Sequence, residues 1–111
     1  WLTRRIETLT PHDKDVALTI EGQLNRPPFE KTPAIAALME FARGVAGDIG
    51  IDLKDVYTGG GSDGNFLAHH LPVLDGLGVD GAGAHTLQEH LLVSSLVPRY
   101  RLLRGLMAGL E

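Results

Sequence analysis

Two glycine-rich stretches hold most of the residues of this chain that could do chemistry. In the first, Tyr57-Thr58-Gly59-Gly60-Gly61-Ser62-Asp63-Gly64-Asn65-Phe66, a triple glycine follows a strand-like stretch and opens a short helix. Consecutive glycines let backbone N–H groups converge without side-chain obstruction, and a helix start adds its positive end. The turn therefore reads as a cradle for an anionic group, with Ser62 placed to cap the helix. A tight strand-to-helix turn would demand the same glycines for conformation alone. The stretch has neither the lysine of a phosphate-binding P-loop nor the GxGxxG spacing of a dinucleotide site. The second stretch, Gly81-Ala82-Gly83-Ala84-His85, sets an imidazole among small residues, unshielded and close to the backbone. His85 is a candidate metal ligand, and a histidine hydrogen-bonded within its own loop is the competing reading. Arg26 lies between Asn25 and Pro27-Pro28. An arginine in a rigid extended segment suits bidentate carboxylate recognition, although a solvated arginine would look the same. His12, His69, His70 and His90 read as surface residues. There is no HExxH helix, His-x-Asp pair or Glu-Glu pair, so a complete zinc site cannot be written from these residues.

The elements that must position these groups follow from periodicity and punctuation. Leu2, Ile6 and Leu9 are at helical spacing and predict the end of a helix over residues 1–10, followed by a turn at 11–15. Val16, Leu18 and Ile20 alternate as in a half-buried strand. The prolines of residues 25–31 impose an extended join, the best candidate for a domain boundary. Thr32-Pro33 starts a helix with a capping hydroxyl and a proline at its first position. Its apolar stripe is Ile35, Leu38, Met39, Ala42, Val45 and Ile49, and Gly50 stops it. A short strand over 53–57, a helix over 65–70, a strand over 71–74 and a glycine-rich loop over 75–88 follow. Pro98 is expected to open the last helix, with Leu102, Leu103, Leu106, Met107 and Leu110 on its apolar face. The order is helix–strand, join, then helix–strand–helix–strand–loop–helix, and the second part is an α/β pattern.

Bulk properties bound the function. The 111 residues correspond to one domain, and 43% apolar content can supply a core. A net charge of −4 and the lack of a basic stripe argue against a nucleic acid or an anionic membrane as partner. No cysteine is present, so any metal must be held by histidine and carboxylate. No apolar run approaches the roughly 20 residues of a membrane span, and no signal peptide is visible, which points to a cytoplasmic location. The chain opens on Trp1, as expected of a processed protein or a piece of a longer one.

The strings LNRPPFEKTPAIAAL, TGGGSDGNF and LPVLDGLGVDGAGAHTLQEHLLVSSLVPR, in this order and at this spacing, resemble the C-terminal part of zinc-dependent glutamate carboxypeptidases. These belong to the superfamily that includes acetylornithine deacetylase, succinyl-diaminopimelate desuccinylase and aminoacylase. The resemblance runs along the whole chain. It implies a catalytic α/β domain holding two zinc ions, with an inserted lid domain that mediates dimerisation. Residues 1–24 would end the lid, 25–31 would be the join, and 32–111 would be the C-terminal part of the catalytic domain. His85 would be the last zinc-ligand histidine. Arg26, beside Asn25, would grip the free carboxylate of the substrate, and Gly59, Gly60, Gly61 and Ser62 would line the pocket. The reaction implied is hydrolysis of an N-acyl amino acid or peptide by zinc-bound water, whose pKa falls to about 7, with a glutamate moving the proton. The family's other zinc ligands, its Glu-Glu pair and its lid histidine have no counterpart here, so the chain alone is expected to be inactive, and the strand edges and apolar helix faces left uncovered by the missing part are expected to make it self-associate. Two other readings stay open: a non-catalytic dimerisation module, and a small anion-binding α/β domain.

Overall fold

The computed structural model describes residues 1–110. Six elements follow in order: α1 (Leu2–Glu7), α2 (Pro33–Asp48), α3 (Gly64–Leu67), β1 (Gly81–Ala82), β2 (His90–Leu91) and α4 (Val93–Ala108). This mixture of helix and strand is consistent with the α/β expectation.

α2 begins as its sequence requires. Thr32 is extended and its hydroxyl accepts from the Ile35 N–H at 3.2 Å, with Pro33 at the first helical position. Ile35, Met39, Ala42 and Ala46 are its buried residues, spaced along one face. Gly50, at φ 76°, turns the chain out of the helix, and the Ile51 N–H returns to the Ala46 carbonyl at 2.8 Å.

The core is the seam between α2 and α4. Ala42, Ala46, Leu102 and Leu106 form it, with Phe41, Val45, Ile49, Ile51, Leu53, Leu74 and Leu77 packed around. Small residues set the helix separation. A Cβ on Gly105 would lie 2.6 Å from Val45 Cγ1, closer than packed carbons approach.

Four expectations are corrected. α4 starts at Val93, five residues before Pro98, which lies inside the helix. Ser95 holds this early start: buried, it donates to the Leu92 carbonyl at 2.6 Å and accepts from the Asp80 N–H at 2.9 Å. Residues 75–88 are not one open loop, because β1 pairs antiparallel with β2 in the register Gly81↔Leu91 and Ala82↔His90. Gly81 is needed there, since a Cβ would sit 2.2 Å from the His90 carbonyl oxygen. The helix expected at 65–70 is the four-residue α3, displaced by one residue at its start. Residues 16–20, 53–57 and 71–74 are not strands, since none has a ladder partner among the described residues. Alternation selects a face, whereas a strand needs a neighbour to satisfy its backbone.

The missing pairings show in the dimensions. The radius of gyration is 19.7 Å, against about 13 Å for a compact domain of this length. The accessible surface is 9273 Å², against about 5,900 Å² for a folded monomer of this mass. α1 buries none of its residues, and Val16, Leu18 and Ile20 are all exposed.

Candidate functional site

The proline-rich join carries Arg26 against the glycine turn. Its stem lies over Gly61, where an added Cβ would come within 3.2 Å of Arg26 Cδ. Its guanidinium sits 5.0 Å from the centroid of the Phe66 ring, a cation–π distance. One guanidinium nitrogen pairs with Asp63 Oδ1 at 3.3 Å. The arginine side chain is 34% exposed and the aspartate 95%, so the pair is open to solvent and weak.

The turn is held by its own side chains. Ser62 Oγ accepts from the Gly64 N–H at 3.0 Å, and the Ser62 N–H donates to Asn65 Oδ1 at 2.8 Å. Asn65 Nδ2 in turn donates to the Pro27 carbonyl at 2.8 Å, tying the turn to the join. Gly64 is closely packed: a Cβ there would stand 3.0 Å from Val73 Cγ1. With only four residues, α3 adds no appreciable dipole, so the expected reinforcement of the cradle by a helix start is absent.

Arg26, Gly59, Gly60, Gly61, Ser62 and Asn65 line one side of an open groove of about 970 Å³. Ile35 and Met39 of α2 form part of its wall, and residues 52–58 and 73–77 run along it. Lys31 and Asp55 also border it and are hydrogen-bonded to each other. That bond, aided by the positive charges of Lys31 and Arg43 and opposed by partial burial, holds the Asp55 carboxyl below its ordinary value.

The structure brings together Arg26, the three glycines and Ser62, but neither Asn25 nor His85 lines the groove. Asn25 is exposed. His85 is exposed near the tip of the β1–β2 hairpin, and its backbone N–H donates to Glu89 Oε2 at 3.0 Å. Its φ of 64° makes it the one non-glycine residue with left-handed backbone among those described. Such conformations cost about 1–3 kcal/mol and concentrate at functional positions. The hairpin holds it through Thr86, whose hydroxyl donates to the Gly83 carbonyl and accepts from the Gln88 N–H. His12, His69, His70 and His90 are exposed, as expected. Among the described residues no three histidine, aspartate or glutamate side chains converge, so these residues do not by themselves form a zinc site.

Sequence reasoning missed Asp63, Asn65, Phe66 and Glu89. Asn65 had a readable signal, because an amide beside a glycine turn can accept from one backbone group and donate to another. The stacking of Phe66 on Arg26 had none, since it joins residues 40 positions apart.

The sequence model of peptidase family M20/M25/M40 matches residues 8–109. A succinyl-diaminopimelate desuccinylase of Paracidovorax citrulli is 32% identical over 99 residues, covering 87% of this chain and 24% of the relative. Another, from Verminephrobacter eiseniae, is 30% identical over 93 residues, covering 84% of this chain and 22% of the relative. A third, from Delftia acidovorans, is 26% identical over 113 residues, covering 99% of this chain and 28% of the relative. The chain thus spans about a quarter of the length of these relatives. No solved structure matches significantly. With the family match extending over nearly all of its residues, the chain belongs to peptidase family M20/M25/M40.

Proposed function

We propose that this chain supplies the carboxylate-recognition side of a hydrolase acting on the amide bond of an N-acyl amino acid or peptide with a free carboxylate. The observation that carries this reading is the setting of Arg26. Its guanidinium is braced between Gly61 and the Phe66 ring at the edge of an open groove, and it already holds one carboxylate, that of Asp63. A substrate carboxylate offers the same chemistry with a second oxygen for bidentate pairing. Gly59 and Gly60 leave their backbone open beside this site, so a ligand can approach them without meeting crowded side chains. Residues 1–24 belong, in this reading, to a lid or dimerisation domain, and residues 32–111 to the catalytic domain, with 25–31 joining them. His85 contributes one ligand to a zinc centre whose other ligands come from outside these residues. Asn25 acts with Arg26 on the substrate side.

The name of the matched relatives favours an acylated diamino acid as substrate class, and the resemblance to glutamate carboxypeptidases favours glutamate derivatives. Both carry the carboxylate that Arg26 would grip. The test is an NMR titration of the chain with N-acetylglutamate and with its uncharged diamide. N-acetylglutamate should shift the Arg26 Nε–H signal and the amides of Gly59 to Ser62, and the diamide should shift neither. Equal responses to both ligands would refute carboxylate recognition at Arg26.

A further inference from the structure

Asn65 makes the side-chain hydrogen bond with the longest reach in sequence among the described residues of the groove. Its two amide atoms make two bonds of opposite sense. Oδ1 accepts from the Ser62 N–H and Nδ2 donates to the Pro27 carbonyl, each at 2.8 Å. The second bond crosses 38 positions of sequence and ends on the residue that follows Arg26. Asn65 is partly buried, so these bonds compete less with water than surface ones. The next residue is Phe66, on whose ring the guanidinium rests. One side chain thus fixes both surfaces that frame Arg26: the turn beneath its stem and the join that carries its backbone.

We infer that Asn65 is a positioning residue for carboxylate recognition, holding Arg26 in register with the glycine turn by bridging the Ser62 N–H and the Pro27 carbonyl. The inference rests on the proposed role of Arg26 for its consequence in binding, but not for the bridge itself. The requirement is chemically narrow. The position must accept from one backbone group and donate to another across a short span, which the asparagine amide does. Aspartate keeps the acceptor and loses the donor. Alanine loses both. Without the bridge, Arg26 remains charged but spreads over many rotamers, and ordering it again on binding costs affinity.

The test compares wild type, Asn65→Ala and Asn65→Asp by NMR, with urea unfolding as a measure of the α2–α4 core. The Phe66 ring should shift the Arg26 side-chain protons in wild type by its ring current. In both variants that shift should collapse toward the values of an unstructured arginine, and the dissociation constant for N-acetylglutamate should rise five-fold or more. The unfolding midpoint of the core should stay near wild type. Should the alanine variant fold poorly, Asn65→Asp, which retains the bond to Ser62, decides the matter. Retention of the ring-current shift and of the affinity in Asn65→Asp overturns the inference. Failure of wild type to take up N-acetylglutamate would instead remove the proposed role of Arg26. The bridge would then be judged by the ring-current shift alone, and its persistence in both variants would overturn it.

Discussion

Replacing Arg26 by alanine should weaken carboxylate binding about ten- to a hundredfold while leaving the helical core folded. The binding estimate comes from charge-assisted hydrogen bonds, worth about 1.5–3 kcal/mol to a charged partner, at about 1.4 kcal/mol per factor of ten. The lower end is favoured, since a third of the arginine side chain faces solvent. The cost to stability is smaller. The Asp63 pair is a surface ion pair, worth about 0.2–1 kcal/mol, and the Phe66 stack adds about 0.5–1 kcal/mol. Neither touches the cluster of Ala42, Ala46, Leu102 and Leu106. Arg26→Lys separates charge from shape. Lysine keeps the positive charge but lacks the planar fork that pairs with two carboxylate oxygens and lies flat on a ring. It should recover part of the affinity but little of the ring contact. The assay is calorimetric or NMR titration with N-acetylglutamate, at low salt and again at 0.5 M salt, paired with urea unfolding followed by helical circular dichroism. Unchanged affinity in Arg26→Ala would refute the reasoning. So would full recovery in Arg26→Lys, which would show that charge alone suffices.

Other outcomes follow from the same structure. Gly105→Ala should destabilise the chain by about 1 kcal/mol, because overpacking at about 1–3 kcal/mol outweighs the helix-propensity gain of about 1 kcal/mol. The close contact is with Val45 Cγ1, so adding Val45→Ala should relieve the clash, and a raised urea midpoint in Gly105→Ala alone would contradict this. Asp55 should titrate below its ordinary value of 3.8. A lowered folded pKa means that the stability it contributes is complete above the unfolded value and is lost as pH falls through the folded one. Lys31→Met should move the Asp55 midpoint upward in a carbon-detected NMR titration. The chain alone, given zinc or cobalt, should hydrolyse N-acetylglutamate no faster than a His85→Ala control, because no three metal-ligating side chains converge among the described residues. Turnover above that control would overturn the assignment of missing ligands. The chain should also self-associate at micromolar concentration, as read by light scattering. Its accessible surface exceeds that of a compact monomer by more than half, and strand-like sequences without ladder partners favour pairing between copies. A strictly monomeric species would argue against this.

The sequence by itself determined the parts whose causes are local. Thr32-Pro33 and the stripe Ile35, Leu38, Met39, Ala42, Val45 and Ile49 dictate α2, of which Ile35, Met39 and Ala42 are buried, because capping and helical periodicity act within a few residues. The order of the Arg26, glycine-turn and His85 strings was enough to indicate the family to which the chain belongs. The sequence also marked residues 16–20, 53–57 and 71–74 as strand candidates. It could not supply the partners that would make them strands, because a ladder bond belongs to two segments. Tertiary structure decided what depends on distant neighbours. The early start of α4 rests on Ser95 meeting Asp80, and the hairpin that presents His85 rests on Gly81 pairing with Leu91 and Ala82 with His90. The frame around Arg26 needs Gly61, Asn65 and Phe66 to arrive from across the chain. Each residue is visible in the sequence, but the contacts are not. They form only when the join folds back on the turn, and the closing of that loop leaves no local pattern in the residues that meet.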